Sequence, residues 1–474
     1  MGMANRASLS LLLWTLHGPS SSCRFSRRFV HTPTFARELQ ADAVLSRSTF
    51  GTQPQGLWKN ALRLSLKNPA NTHVISLGER TLALWEGGLP SRVDPSSLSY
   101  LGRETFGGLL LDGDTAISTG LGRGVDEALG LGVGFSAHPR EVGGRLVGWS
   151  WKAPILDSDL EIDIFEWEIA SGKLLASSQA RLPGKVAPHD FAVTANWYVY
   201  VLNGMALDPL PYVMGATGPV GALTTTGKGV SIVLLPRPDG EAKGSRGITI
   251  HTDDPYFAIH HATAFEEGRE GGCDIQLYTA AWPNAEKGPF LGDWGGAVPL
   301  FDNGKIKPTQ LLHSTIRIRG EEAFVDRPSP VADGACIDHP HCDPRFDGDS
   351  RARYLYMSYC NDEGDCGSPP VGWARWDRKT GEKQVWKQPG IAFCEEVVVI
   401  PRPSEGGEAA AEDRADAWLA GMMYDDQSAR SCLAILDADR IEEGPVCRLW
   451  LKDHMPHGLH GSFNSKIFEP MDQK

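Results

Sequence analysis

Short runs of apolar, β-branched and aromatic residues recur along most of the chain, often alternating with polar residues. Examples are WYVYVL, GVSIVLLPR and EVVVIPRP, and paired runs around a turn occur in HVISLGERTLALWE and IFEWEIASGKLLASSQARL. A period of two in such runs predicts β-strands, and no long segment keeps the 3.6-residue period of an amphipathic helix. The chain is therefore predicted to be all-β.

The length of the chain narrows the architecture. More than a dozen short strands joined by turns predict a sandwich, a barrel or a propeller. A chain of 474 residues fits a seven-bladed β-propeller best, with about 68 residues for each blade of four strands. The segment 404–417, SEGGEAAAEDRADA, is predicted to be a solvated loop between two strands, not a domain boundary.

Charge and cysteine content limit the partners and the compartment. The chain has 46 basic and 59 acidic residues, a net charge of −13. This balance argues against a nucleic-acid partner and favours a small molecule. Nine widely spread cysteines without a CxxC pair favour a reducing compartment.

The N-terminal residues 1–22 differ from the rest of the chain. They contain Arg6, a short apolar core, a Ser-rich tail and no acid. This composition is typical of a targeting peptide, signal or transit, and a non-domain N-terminus is the alternative. The domain is predicted to span residues 23–474, and a chloroplast or cytoplasmic location is predicted over secretion.

Four histidines stand beside strand signals, each with small or apolar neighbours: His138 in FSAHPR, His189 in APHDFAVT, His260 in FAIHHATAFEE and His460 in HGLHGSF. Taken singly, each is either a structural residue or a ligand. The innermost strands of a propeller converge on its axis, so residues distant in sequence can meet there. Because side chains alternate along a strand, His260 and His261 are predicted to face opposite ways.

These contexts resemble the carotenoid cleavage oxygenases. RFSRRFVHTPTF, KNPANTHVI, LALWEGGLPSRVDPSSL, FSAHPRE, HDFAVT, FAIHHATAFEE, VVVIPRP and GLHGSF occur in the family's order, from about Arg24 to Phe463. LALWEGGLP is similar to the cyanobacterial apocarotenoid branch. The resemblance implies a seven-bladed propeller whose loops form a dome over an iron-bearing axis. It also implies that one Fe(2+) per chain is held by His138, His189, His260 and His460, with His261 turned into the blade.

The resemblance further implies three carboxylates that accept the other ring N–H of a ligand: Glu86 from His189, Asp338 from His260, and Glu396 from His460. At position 338 the family normally has Glu. Loss of one methylene shortens the reach by about 1.5 Å. The Asp338 contact is therefore predicted to stretch past about 4 Å unless the backbone shifts or water bridges the gap.

Other departures from the family pattern concern nearby residues and the N-terminus. Thr263 replaces the Asn that usually follows the third ligand, and Val397 replaces a Pro after the third carboxylate. RNGPNP-like and FDGDG-like motifs, which normally precede the matched region, are missing from the sequence. Whether the first blade is complete is therefore left open.

The implied activity is oxidative cleavage of one double bond of a carotenoid or apocarotenoid by dioxygen, which yields two carbonyl compounds. Phe191 and Phe265 are candidates for contact with the polyene, and core packing is the alternative role for each. Other family members imply a stilbene substrate or isomerisation of a retinyl ester. A catalytically weakened propeller that serves as a binding module is the alternative outside enzymology.

Three further features of the sequence suggest other sites or contacts. The tight motif CIDHPHC resembles a small zinc knot, but its spacing is too short for one tetrahedral site. Cys360 and Cys366 could form a loop disulfide if oxidised, and a reduced loop is the alternative. The segment 213–227, VMGATGPVGALTTTG, is the candidate for peripheral contact with a membrane surface, through Val213, Met214, Val220 and Leu223.

Overall fold

The computed structural model describes residues 10–17, 22–49, 56–283, 309–361, 370–390, 392–403 and 415–466. These residues form mainly β-strands, as the sequence predicts. The α-helices among them are short: Pro33–Ala41 (α1), Gly56–Asn60 (α2), Arg123–Ala128 (α3) and Pro209–Val213 (α4). Single turns of 3₁₀-helix occur at Val220–Ala222, Ala332–Gly334 and Ile441–Glu443. The predicted loop 404–417 lies mostly outside the described residues, as does Cys366.

The N-terminal part of the chain forms a two-stranded ribbon followed by a four-stranded sheet. The ribbon pairs Ser10–His17 (β1) with Ser22–Phe29 (β2). The predicted boundary between residues 1–22 and 23–474 therefore falls at the start of a paired strand. The sheet contains His73–Leu77 (β3), Arg80–Leu84 (β4), Ser91–Val93 (β5) and Tyr100–Arg103 (β6).

The turn between β3 and β4 shows how local sequence sets the register. Gly78 adopts a φ of 58°, which costs a residue without a Cβ little. An added Cβ there would also meet the backbone of Ser171 at 2.9 Å. The turn lets Leu77, Leu82 and Leu84 bury their side chains in one cluster. The predicted strand–turn–strand in HVISLGERTLALWE is confirmed.

The central part of the chain forms mainly antiparallel sheets. The first sheet contains Ile117–Ser118 (β7), Gly134–Phe135 (β8), Arg140–Val142 (β9), Arg145–Pro154 (β10), Leu160–Glu168 (β11) and Leu174–Leu182 (β12). The next group contains Ala192–Val193 (β13), Trp197–Leu202 (β14), Met205–Leu207 (β15), Leu223–Thr225 (β16), Ser231–Pro236 (β17) and Ile248–His251 (β18). β15 and β16 form a separate pair beside the sheet β13-β14-β17-β18.

The last part of the chain contains the longest strands. One nine-stranded sheet contains Phe257–Arg269 (β19), Gly272–Trp282 (β20), Gln310–Arg319 (β21), Glu322–Val325 (β22), Ser329–Pro330 (β23), Cys336–Cys342 (β24), Tyr354–Asn361 (β25), Gly372–Asp377 (β26) and Lys383–Lys387 (β27). The final sheet contains Ala392–Pro401 (β28), Ala417–Asp425 (β29), Arg430–Asp437 (β30) and Pro445–Trp450 (β31). Beyond β31 the chain runs back to the first sheet, where His460 N donates to Thr72 O at 3.3 Å.

The sheets are arranged as in a propeller, but the predicted number of seven blades is wrong. Within the described residues the structure has four blades, each a sheet with a hydrogen-bonded path of four strands. Part of the difference arises from pairing between sheets, since a single residue pair, Gln310 with Cys336, joins β21 to β24 in one nine-stranded sheet. Counting predicted strands along the sequence does not show that two sheets are joined by such a pairing.

Candidate metal centre

The structure brings the four predicted histidines together from four separate parts of the fold. His138 lies between β8 and β9, and His189 lies just before β13. His260 lies within β19, and His460 lies in the irregular segment after β31. One ring nitrogen of each lies within 4.8 Å of the corresponding nitrogen of every other. A group of four imidazoles in this arrangement could bind one metal ion.

The ring geometry fits a small cation. His138 Nε2 and His189 Nε2 are 3.0 Å apart, and the ring centroids of His138 and His460 are 4.5 Å apart. Two nitrogens that each lie about 2.1 Å from one ion, at a right angle, are separated by about 3.0 Å. Among the described residues, His260 Nε2 is buried without a hydrogen-bond partner. A buried ring nitrogen without a partner is unfavourable, and a metal ion bound to that nitrogen would provide the partner.

The local environment favours the neutral form of two of the four imidazoles, His138 and His460, and the neutral form is the one that binds a metal. Burial, reinforced by the neighbouring histidines, holds the pKa of His138 well below its ordinary value. Burial likewise holds the pKa of His460 low, although the nearby Glu396 carboxylate opposes it. At His189 burial is outweighed by the Glu86 carboxylate, and the pKa is raised.

All three implied carboxylate–histidine pairs form hydrogen bonds. His189 Nδ1 lies 2.6 Å from Glu86 Oε2, and His460 Nδ1 lies 2.7 Å from Glu396 Oε1. His260 Nδ1 lies 2.9 Å from Asp338 Oδ1. Each carboxylate accepts a hydrogen bond from Nδ1–H, so Nε2 is the unprotonated nitrogen directed at the centre. Such contacts fix the tautomer and orientation of a ligating ring.

The gap predicted at Asp338 does not occur, because the backbone shifts. The pairing of β24 with β25 changes register between Asp338 and His341. His339, within this bulge, adopts a φ of 49°, which is uncommon for a residue with a Cβ. A bulge bends the strand and re-aims its side chains. Burial alone would raise the pKa of Asp338, but His260 and His339 more than offset it and hold the pKa low.

Three more histidines lie at the centre and were not predicted to do so: His73, His339 and His341. His73 lies within hydrogen-bond distance of the carbonyl oxygens of Ala137 and Gly461, at 3.1 and 3.2 Å. The ring of His339 lies 5.1 Å from that of His260 and 5.0 Å from that of His460. His73 lies within the family motif KNPANTHVI and is the first residue of the predicted strand HVISL, but neither pattern marked it as part of the centre.

The histidines of CIDHPHC therefore belong to this centre and not to a zinc knot. Among the described residues, neither group with metal-binding geometry includes a cysteine. The two cysteines of the motif, Cys336 and Cys342, are buried. One of the two groups joins Asp338 and His339 to His260.

A partly buried arginine, Arg140, links the segments that carry His138 and His260. Arg140, two residues after His138, donates to the carbonyl oxygens of His261 and Ala262 at 2.8 and 3.0 Å. It also donates to Asp347 at 3.0 Å. Asp347 in turn accepts a hydrogen bond from Thr263 Oγ1 at 2.8 Å. Thr263, which departs from the family pattern, thus has a structural partner.

The remaining candidates are His261, Phe191 and Phe265. His261 Nδ1 lies 2.8 Å from Thr279 Oγ1 on β20, which agrees with its predicted turn into the sheet. Phe191 and Phe265 are fully buried. Phe191 stacks on Tyr200 at 5.4 Å. Their contact with a substrate stays a prediction.

Strict alternation along β28 would turn Glu395 outward, away from its neighbour Glu396, but the structure does not place it so. A bulge between Cys394 and Val397 interrupts the alternation of β28. The Glu395 side chain is half-buried, and burial raises its pKa to about 7. Strict alternation along a strand does not hold across a bulge.

Comparison with known proteins gives a consistent result. Residues 1–465 match the family described as RPE65, retinal pigment epithelial membrane protein. The chain is 32% identical to apocarotenoid-15,15'-oxygenase of Synechocystis over 452 residues, which cover 93% of this chain and 82% of that protein. It is 23% identical to resveratrol cleavage oxygenase 1 of Aspergillus fumigatus, with 93% of this chain and 81% of that protein covered.

A solved structure shares both the fold and much of the sequence. It is that of the cobalt-substituted Synechocystis ACO, which is 30% identical with a TM-score of 0.76. The match covers 92% of this chain and 83% of that one. Together with the four-histidine geometry and the extent of the sequence match, this shows that the chain belongs to the RPE65 family, which is the carotenoid oxygenase family that its motifs predict.

Proposed function

We propose that the protein is a non-haem Fe(II) dioxygenase that cleaves a carbon–carbon double bond of a carotenoid or apocarotenoid. The observation that carries this proposal is the convergence of four imidazole nitrogens within 4.8 Å, with three of the rings oriented by carboxylates. The 32% identity to an apocarotenoid oxygenase supports the substrate class. Imidazoles suit Fe(II) among several divalent ions, so the choice of iron rests on the family.

The histidines would bind the ion, and the carboxylates would balance its charge. His138, His189, His260 and His460 would hold Fe(II) through Nε2 as neutral ligands. The carboxylates supply negative charge nearby, which a buried divalent ion requires. Bound Fe(II) supplies the site at which dioxygen is activated beside the substrate double bond. Both oxygen atoms leave in the two carbonyl products.

A stilbene is the second candidate substrate, because the chain is also similar to a resveratrol cleavage oxygenase, at lower identity. The retained Asp338–His260 contact weakens the case for a binding module without catalysis, since the predicted loss of that carboxylate does not occur. The identity of the residues that contact the substrate decides between the two substrates.

The test is product analysis by mass spectrometry. The iron-loaded protein is incubated in air with carotenoids, apocarotenoids and resveratrol, and a His138→Ala variant serves as the control. We expect two carbonyl fragments from a carotenoid or apocarotenoid with the wild-type protein and none with the variant. Cleavage of resveratrol alone would replace the proposed substrate class. Iron content near zero that added Fe(II) does not restore would overturn the oxygenase and favour the binding module.

We further propose that an apolar surface patch contacts a membrane surface, from which a polyene would enter. No helix among the described residues is long and apolar enough to cross a bilayer. Several large apolar side chains are nevertheless exposed around α2 and α4: Leu57, Trp58, Leu62, Leu210 and Met214. Leu62 N donates to Val213 O at 2.8 Å, so these two helices adjoin. Trp58 is 90% exposed and was not among the predicted contacts.

Liposome flotation tests this contact. Replacing Leu210 and Met214 with Glu should reduce the membrane-bound fraction, whereas Leu175→Glu, at an exposed position on β12, should not. Equal partitioning of all three proteins would remove the patch from the proposal. A fluorescent fusion tests the proposed chloroplast or cytoplasmic location, which an extracellular signal would contradict.

A further inference from the structure

One oxygen of Glu396 serves two histidines. Glu396 Oε1 accepts from His460 Nδ1 at 2.7 Å and from His341 Nε2 at 2.6 Å. The other oxygen, Oε2, accepts from the backbone N–H of Gly461 at 2.9 Å. Three donors therefore hold this carboxylate, and one of them is a side chain with no contact to the four converging nitrogens.

The position of His341 follows from the bulge in β24. The register shift between Asp338 and His341 lets Asp338 face His260 while His341 reaches across to β28. The His341 side chain is 38% exposed, whereas those of Glu396 and His460 are 3% and 5% exposed. A chain of two hydrogen bonds therefore leads from the protein surface to a ring at the centre.

A second donor on Glu396 Oε1 has a mechanical consequence. A carboxylate held only by the ligand and one backbone N–H can rotate and carry the ligand ring with it. A further donor on the same oxygen restricts that rotation, and outer partners of this kind orient a ligand and tune its affinity. The electrostatics agree with this geometry. Burial alone would raise the pKa of Glu396, but His460 and His341 outweigh that effect and hold the pKa well below its ordinary value.

We propose that His341 is a positioning residue of the metal centre, whose Nε2–H fixes Glu396 and thereby the orientation of the His460 ring. This inference rests on the proposed metal binding by the four histidines. It assigns a role to the CIDHPHC motif that neither the zinc-knot interpretation nor the three implied carboxylates provide. His341→Gln keeps an N–H donor near the position of Nε2, whereas His341→Phe keeps a ring and removes the donor.

The experiment is a Co(II) titration of metal-free protein, followed by the visible absorption of the bound ion. We expect His341→Phe to bind Co(II) about tenfold more weakly than wild type, within the range for loss of an outer partner. His341→Gln should stay close to wild type. His251→Phe is the matched control, since His251 is exposed and contacts Ser231 Oγ at 2.8 Å, on β18. Circular dichroism confirms that each variant is folded.

A double-mutant cycle separates this role from a merely structural one. If His341 acts through Glu396, adding His341→Phe to Glu396→Gln should cost little further affinity. Equal affinity of His341→Phe and wild type, or full additivity in the cycle, would overturn the inference while leaving metal binding intact. So would a His341→Gln variant as weak as His341→Phe. Wild-type protein that binds no Co(II) would overturn both this inference and the proposed function.

Discussion

Two carboxylate–histidine pairs at the centre have the same function and very different surroundings. The Glu86 carboxylate accepts a hydrogen bond from His189, and the Glu86 side chain is 33% exposed. Glu396 accepts from His460, His341 and Gly461, and its side chain is 3% exposed. The pair at Glu86 is partly solvated, and the pair at Glu396 is dry and held from several sides.

The difference shows that the support of the four rings is uneven. Hydrogen bonds to a charged group are stronger where water is excluded, and an unpaired group there costs more. The pKa of His189 is raised by Glu86, whereas burial holds that of His460 low. Loss of Glu396 should therefore disturb the centre more than loss of Glu86.

The largest effect is expected from removing one of the four rings that would bind the metal directly. His260→Ala deletes the ring whose Nε2 is buried without a partner, and bound metal should be lost. His261→Ala is the matched control, because His261 contacts Thr279 on the neighbouring strand. Metal analysis of the purified variants checks this. Retention of metal by His260→Ala would show that His260 is not one of the ligands and that the centre does not require all four rings.

Glu396→Gln and Glu86→Gln test the comparison directly. We expect a loss of Co(II) affinity of about 100-fold for Glu396→Gln and about tenfold for Glu86→Gln, the two ends of the usual range for such partners. The buried carboxylate has more donors to leave unsatisfied, which is the reason for the order. Isothermal titration of the metal-free variants measures both. The reverse order would show that burial does not set the strength of support.

Asp338→Asn is expected to fall between these two in effect, or near the smaller. Asp338 accepts from His260 Nδ1 at 2.9 Å and from the backbone N–H of His339 at 2.7 Å, and its side chain is 22% exposed. The amide keeps an acceptor but loses the charge, so we expect a loss of about tenfold in metal affinity. The same titration checks this. An unchanged affinity would mean that the bulge, not the charge, maintains the His260 ring.

The smallest effect concerns Glu395, next to the drier pair. Burial raises its pKa to about 7, so the folded state prefers the protonated acid. The stability gained from that preference is complete below the ordinary pKa of a glutamic acid and is lost as the pH rises through about 7. Wild type should therefore lose more Tm than Glu395→Gln between pH 5 and pH 8.

Thermal melts at both pH values measure this difference, with Glu79→Gln as the control because the Glu79 side chain is 88% exposed. Equal changes in Tm between pH 5 and pH 8 for wild type and Glu395→Gln would show that burial does not shift the ionisation of Glu395. Water would then be excluded from Glu396 but not from Glu395.

The sequence predicted what depends on local pattern and on motif order. The hairpins were visible as alternation around turns, and HVISLGERTLALWE is one that the structure confirms. The partners of His189 and His460 followed from family motifs. The features that were not predicted depend on irregularities of the backbone. One bulge keeps Asp338 at His260, and another changes the orientation of Glu395. The pairing of Gln310 with Cys336 joins two sheets. Neither a period of two nor a motif encodes a register shift.

The Arg140 contacts have a consequence for how the protein acquires its ion. One guanidinium joins the segment after His138 to the strand that carries His260, more than 100 residues further along the chain. His460 arrives last, near the C-terminus. A chelating site of this kind does not exist in an incomplete chain. We therefore expect a metal ion to bind only after the segment that carries His460 has been synthesised, so that a shorter nascent chain would not trap one.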